Sequence, residues 1–222
     1  MARGIFVTGT DTGVGKTIVA CALLRAWVAD GATAVGMKPV AAGLRPGSLC
    51  HEDVRALSAA GNVDAPPAAR NPYAFAAAIA PHLAAAAAGT SIDLARLRAA
   101  YEQLAARADG VVVEGAGGVL VPLDARHDML DIARVLDLAI VLVVGVRLGC
   151  INHALLSAQA IRARGVAFEG WVANCIDPRF EPQEANIDAL EQRLSAPLLA
   201  TIAWNGWRAP AWRIDPIALR GG

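Results

Sequence analysis

Apolar residues along the chain fall into two spacings. Short apolar runs, several rich in valine, recur at 4–8, 33–37, 110–113, 139–144 and 171–173. Each is too short for a buried helix, and together they predict strands buried on both faces. Between them, 17–29, 92–108 and 152–164 space apolar positions three and four apart, which predicts helices. Glycine follows several of these segments, as a helix C-terminus favours.

Strands alternating with helices predict an α/β fold: a mostly parallel sheet with helices on both faces. Such a sheet gathers its loops, and therefore its ligand, at the carboxyl ends of the strands. No internal repeat and no linker rich in glycine, serine or proline divides the 222 residues, so one domain is expected over 1–222. The Pro66-Pro67 pair predicts a turn within an excursion.

No charged residue occurs between Arg70 and Asp93, a length that reaches a bilayer span. Alanine dominates that stretch, however, and Asn71, Pro72, Pro81, His82 and Gly89 interrupt it. A run of alanine is only weakly lipophilic, so the expectation is a loop and an alanine-rich helix, with no membrane span.

Lys and Arg total 20 and Asp and Glu total 20. No net field draws the protein to nucleic acid or anionic lipid, which points to a small ligand. Cys21, Cys50, Cys150 and Cys175 are scattered, without CxxC or Cys/His spacing for zinc or a disulfide framework. The chain runs from Met1-Ala2-Arg3-Gly4 straight into a strand-like segment and shows no signal peptide. The expected location is the cytoplasm.

The chemistry begins after the first strand, at Gly9-Thr10-Asp11-Thr12-Gly13-Val14-Gly15-Lys16-Thr17. A glycine-containing turn between a buried strand and a helix is phosphate-binding geometry. Backbone N–H groups converge on phosphate oxygens, Lys16 reaches the β and γ phosphates, and the Thr17 hydroxyl is placed to ligate magnesium. The strict pattern expects glycine where Thr10 stands, so this is a variant P-loop, and its context rather than its letters carries the signal.

After Val111-Val112-Val113 comes Glu114 and the run Gly115-Ala116-Gly117-Gly118. An acid at the tip of a strand beside the P-loop strand is the usual second holder of magnesium, and glycines let backbone approach an anion. Lys38 follows the second strand, where a further cation offsets charge during phosphoryl transfer. Asp53 lies in a polar interval within reach of a metal, with His51 and Glu52 as rivals on sequence alone.

Phe6-Val7-Thr8-Gly9-Thr10-Asp11-Thr12 with Val14-Gly15-Lys16-Thr17 resembles the P-loop of the dethiobiotin synthetases. Later blocks resemble that family in the same order: Lys38-Pro39-Val40, Asn71-Pro72-Tyr73, Pro81-His82 and Val113-Glu114-Gly115-Ala116-Gly117-Gly118. So do Val143-Val144-Gly145-Val146, Leu148-Gly149-Cys150-Ile151-Asn152-His153-Ala154 and Gly170-Trp171-Val172-Ala173-Asn174. The match runs to about Trp204.

The resemblance implies a P-loop NTPase fold and the ATP- and magnesium-dependent closure of a urea ring on diaminopelargonic acid with carbon dioxide. It implies magnesium held by Thr17, Asp53 and Glu114, and the transferring phosphate stabilised by Lys16 and Lys38. Nucleotide contacts would come from Thr12, Gly13, Val14, Gly15, Lys16 and Thr17, and from Asp53, Glu114, Gly115, Ala116 and Gly117. Asn174 would meet adenine, with Cys175, Ala203, Trp204 and Asn205 beside it. Substrate would meet Ala42, Gly118, Gly149, Cys150 and Asn152, the last three forming a turn across a homodimer interface.

The chain also departs from the family. Gly13 stands where relatives often carry an acid, and Ala42 where they often carry serine. Ala203-Trp204-Asn205-Gly206-Trp207-Arg208 stands where they usually have Pro-Trp and an acidic stretch. Two other classes compete: a nucleotide switch resembling partition or septum-positioning ATPases, and a small-molecule kinase. The switch usually carries an early P-loop lysine where Thr10 and Asp11 stand, together with a basic or amphipathic surface element; neither is found.

Overall fold

Alternate residues of the central strands face two different cores, and this sets the architecture. In the computed structural model, which describes residues 3–45, 47–48, 50–204 and 210–219, the order is β1 (Arg3–Gly9), α1 (Lys16–Ala29), β2 (Ala34–Met37), β3 (Val40–Ala42), α2 (Glu52–Ala60), α3 (Pro67–Arg70) and β4 (Tyr73–Phe75). There follow α4 (Pro81–Ala87), α5 (Leu94–Ala105), β5 (Gly110–Gly118), α6 (Met129–Val135), β6 (Ala139–Val146) and α7 (Cys150–Ala163). The chain closes with β7 (Phe168–Cys175), α8 (Gln183–Glu191), β8 (Leu198–Ile202), β9 (Ala211–Trp212) and a 3₁₀ turn at Pro216–Ala218.

Seven strands form one sheet in the order β2-β5-β1-β6-β7-β8-β9. All its pairings are parallel except β8 with β9. Phe6, Val111, Val113, Ile140, Leu142 and Trp171 enter one core with residues of α5, α6, α7 and α8. Ile5, Val7, Val112, Val141, Val143 and Val172 enter the other with α1 and α2. The strands are apolar on both faces because helices cover both. In α1, Val19, Ala20, Leu23, Leu24 and Trp27 give the buried stripe. Gly31 at φ 87 ends that helix, letting the Ala32 N–H return to the Trp27 carbonyl at 3.0 Å.

Three expectations need correction. The strand opening at Gly110 does not stop at Val113; it continues through Gly118, with Gly9 pairing to Gly118. Glycine lacks β-propensity and reads as a turn, but a Cβ at Gly115 would lie 3.0 Å from the Phe6 ring, so close packing selects it. Pro66-Pro67 opens α3, with Pro67 at its first position, where the missing N–H costs nothing. Helix α5 is shorter than 92–108, because Asp93 caps it through the Ala95 N–H at 2.8 Å.

β3 and β4 pair with each other in a separate two-stranded sheet. Each has three residues, too few to show a period-two pattern. Among the described residues, no helix is long and apolar enough to cross a membrane.

At the two edges of the large sheet, backbone groups are met differently. The C-terminal segment lays β9 on β8, and the Trp27 indole N–H donates to the Pro216 carbonyl at 3.0 Å. On β2, the Asn62 side chain accepts from the Ala34 N–H at 2.8 Å while the Asn62 N–H donates to the Ala34 carbonyl at 3.1 Å.

Candidate active site

β1 delivers the chain at Gly9 into a loop tied to the sheet before any ligand arrives. The Thr10 N–H donates to the Val143 carbonyl at 3.0 Å. Asp11 accepts from the Thr12 N–H at 2.7 Å and pairs with Arg147 at 2.6 Å. Gly13 and Gly15 take φ of 75 and 95, the left-handed region that glycine reaches without penalty. Gly15 is the N-cap of α1 and no side chain caps that end. The first amides of α1 therefore stay available to an anion.

Asn174, buried on β7, donates its amide to the Val14 carbonyl at 2.8 Å. A Cβ on Gly15 would fall 2.2 Å from that Asn174 nitrogen. Glycine is thus required twice at position 15, for its φ and for the brace beneath it.

Next to the loop four charged side chains converge. The Lys38 ammonium reaches Glu114 Oε1 at 2.6 Å, Asp53 Oδ2 at 2.8 Å and the Gly115 carbonyl at 3.1 Å. Three acceptors match its three N–H donors. Thr17 donates its hydroxyl to Glu114 Oε1 at 2.9 Å, and the Lys16 ammonium donates to the Asp11 carbonyl at 2.8 Å. The second oxygen of Glu114, Oε2, is buried and has no hydrogen-bond partner.

These contacts set the charge states. Burial, reinforced by the nearby Lys38 charge, lowers the Lys16 pKa to about 8. Burial also pulls Lys38 downward, but Glu114 and Asp53 outweigh it and hold the ammonium above its ordinary value. Burial would raise Asp53, and Lys38 overcomes it, so the carboxylate titrates below its usual range.

The loop and this cluster open on a cleft of about 730 Å³. Its polar wall is Thr12, Gly13, Gly15, Lys16, Thr17, Lys38, His51, Asp53 and Glu114. Much of the remaining lining is apolar: Val40, Ala41, Ala42, Ala78, Ile79, Ala80, Pro81 and Val121. Ile18, Ala116 and Gly117 complete the lining. Sequence reasoning did not foresee residues 78–80 and Val121, since small apolar residues carry no chemical signature. It also did not foresee that His51 caps α2, its Nδ1 accepting the Asp53 N–H at 3.2 Å. That cap aims Asp53, and not Glu52, at Lys38.

Val14 is a buried residue of the loop, and Gly118 pairs with Gly9; neither lines the cleft. Gly149 caps α7 with φ 91, Cys150 is buried, and Asn152 is exposed on the same turn. None of these three lines the cleft of its own chain. Cys175 is buried at the end of β7, its thiol pushed up by burial and by Cys150. Ala203 and Trp204 follow β8, Trp204 half exposed, while Asn205 lies outside the described residues.

The donor set suits a magnesium nucleotide. Among the described residues no three His, Cys, Asp or Glu converge as a self-contained metal cage. Magnesium beside phosphates uses only one or two carboxylates, with water and phosphate oxygen completing the shell. The unpartnered Oε2 of Glu114, the Thr17 hydroxyl and Asp53 are oxygen donors of that kind.

Known proteins resemble this chain along most of its length. A family profile described as "AAA domain" matches residues 3–207. The ATP-dependent dethiobiotin synthetase BioD of Nitrosospira multiformis is 54% identical over 205 residues, covering 92% of this chain and 90% of its own. Its namesake in Aromatoleum aromaticum is 52% identical over 221 residues, covering 99% and 98%.

Among solved structures, the septum site-determining protein MinD of Pyrococcus horikoshii, complexed with Mg-ADP, aligns with TM-score 0.57 at 18% identity, covering 92% of this chain and 82% of its own. A ParA family ATPase of Chlorobium tepidum gives 0.55 at 14%, covering 90% and 83%. At such identities the likeness shows the P-loop NTPase fold alone.

Proposed function

The chain belongs to the dethiobiotin synthetases, ATP-dependent ligases of biotin biosynthesis, and from that premise we propose how its residues divide the work. The nucleotide lies along the P-loop with its phosphates on the α1 amides, Lys16 and Lys38 flank the γ-phosphate, and the diamine occupies the apolar wall. The observation that carries this is the Lys38 ammonium, buried and fixed by Glu114, Asp53 and the Gly115 carbonyl at the edge of the cleft.

In the proposed sequence one amine of diaminopelargonic acid adds carbon dioxide, releasing a proton and leaving a carbamate. A carbamate oxygen attacks the γ-phosphorus, ADP departs, and a mixed carbamic-phosphoric anhydride remains. The second amine attacks its carbonyl carbon and gives up a proton, inorganic phosphate leaves with the carbamate oxygen, and the cyclic urea is complete. Lys16 and Lys38 offset charge on the phosphoryl oxygens. The loop, braced by Asn174 and Arg147, holds the reacting groups in line.

Thr17, Asp53 and Glu114 would hold magnesium, which neutralises phosphate charge when bound. Glu114 would offer it Oε2, the oxygen that neither Thr17 nor Lys38 engages. The substrates carry both nucleophiles, so the site needs no serine or cysteine of its own.

We further read the protein as a homodimer in the cytoplasm. Leu148, 85% exposed, and Leu156, 57% exposed, flank the Gly149–Asn152 turn on α7, an apolar face suited to a second copy whose cleft that turn would complete. A strictly monomeric sedimentation profile at assay concentration would remove the dimer. ATP dependence and the free thiols Cys21, Cys50, Cys150 and Cys175 support the compartment.

The test is ATP hydrolysis measured with labelled bicarbonate. Hydrolysis should require both bicarbonate and the diamine, with label retained in a cyclic product. A phosphorylated diamine without label would indicate a kinase instead, and turnover stimulated only by DNA or lipid a switch.

A further inference from the structure

Lys38 sits where β2 gives way to Pro39, one residue past the sheet, so nothing in the seven-stranded ladder fixes its backbone. Its main chain is instead bracketed from a distant segment. The Lys38 N–H donates to the Arg70 carbonyl at 2.8 Å. The Asn71 amide nitrogen donates to the Lys38 carbonyl at 2.6 Å and to the Tyr73 carbonyl at 3.0 Å. The Tyr73 N–H returns to the Pro39 carbonyl at 3.1 Å.

Two features make Asn71 the fastener of this bracket. Both protons of its amide nitrogen are engaged by carbonyls, so only an amide donor of this length joins the two strands at that point. Asn71 is also held from behind. Arg96 on α5 donates to the Pro72 carbonyl at 2.8 Å and lies 4.6 Å above the Tyr73 ring, while the Tyr73 hydroxyl accepts the Asp93 N–H at 2.9 Å.

We propose that Asn71, which touches neither cleft nor reacting atoms, is a positioning residue that sets the place of the Lys38 ammonium through the Lys38 carbonyl. The proposal rests on the reading of Lys38 as the cation on the transferring phosphoryl group. It assigns to the Asn71-Pro72-Tyr73 segment a part in catalysis rather than in folding alone.

The test is a double-mutant cycle on Asn71→Ala and Lys38→Ala, with Asn71→Ser as a shorter donor. Loosening the bracket should lower kcat between about tenfold and hundredfold, the scale of an ångström of misplacement. KM for ATP should stay within about twofold, because the P-loop braces are untouched. Asn71→Ser should recover part of the lost kcat. With Lys38 already removed, Asn71→Ala should cost little further rate; where Lys38→Ala falls below detection, the kcat loss of Asn71→Ala and its partial repair by Asn71→Ser carry the test.

Three results would overturn the proposal: wild-type kcat in Asn71→Ala, full additivity in the cycle, or equal losses in kcat and both KM values, following a lower melting temperature, that serine does not repair. Wild-type turnover in Lys38→Ala, by contrast, removes the role of Lys38 and leaves the bracket a structural one.

Discussion

On one side of the cleft each donor of Lys38 meets an acceptor, the loop below is pinned to β6 and β7, and a single buried carboxylate oxygen is left without a partner. In the apolar part of the lining, the side chains of Val40, Ala42, Ala78, Ile79, Ala80 and Val121 offer only hydrocarbon surface. The first wall must hold charge in place as charge moves, so its geometry is over-determined and substitution there is costly. The second needs to receive an alkyl chain by shape, and shape tolerates change.

The contrast breaks first at the lysines. Lys38→Ala and Lys16→Ala are each expected to lower kcat on the order of 10²–10³ while the melting curve still reports a folded protein. Unchanged kcat in either variant would mean that the polar wall binds without catalysing.

A second break comes with pH. The free enzyme's Lys16 titrates near pH 8 because burial and Lys38 lower it, so kcat/KM for ATP should fall about tenfold per unit above that point. Bound phosphates restore the proton, and kcat itself should stay level. The sign for stability is opposite. An unfolded lysine keeps its proton to about 10.5, so the folded state binds fewer protons between about 8 and 10.5, and this group adds stability as pH rises through that window. A kcat that fell in parallel with kcat/KM would show that Lys16 stays perturbed in the complex.

Smaller effects sharpen the comparison. Gly15→Ala should raise KM for ATP on the order of tenfold, since left-handed strain of roughly 1–2 kcal/mol is joined by collision with Asn174. Gly13→Ala bears similar strain, but its Cβ meets nothing within 4 Å, so isothermal titration should find it the milder of the two. On the apolar wall, Ala42→Ser adds a hydroxyl at the end of β3. It should lower KM for the diamine by less than about tenfold, the worth of one hydrogen bond, and leave KM for ATP unchanged.

How much of this was legible in the sequence follows from distance along the chain. The phosphate loop was readable because its chemistry needs contiguous residues between a strand and a helix. Lys38 and Glu114 were readable in position, since each follows an apolar run, although the strand beyond Glu114 was hidden by its glycines, of which Gly115 lies against Phe6 and Gly117 against Val121. Asp53 could not be separated from its neighbours, because the choice lies in the register of α2 and that register depends on a histidine cap. The bond from Asn174 to Val14 joins residues 160 apart, and no local pattern announces it. The apolar lining was unreadable for a different reason: β3, β4 and α4 are short pieces, β3 and α4 rich in alanine, whose conformation is imposed by what they pack against.

The two edges of the sheet carry a consequence for handling the protein. A row of open amides on an outer strand recruits other chains, and natural sheets blunt such rows. Here β8 is blunted by the short strand Ala211–Trp212 laid back over it, and β2 by one asparagine imitating a strand. A chain cut before Ala211 would keep the whole cleft yet expose a β8 edge ending in the run Leu198-Leu199-Ala200-Thr201-Ile202. Such a shortened protein is expected to remain competent in dilute assay and to come out of solution when concentrated.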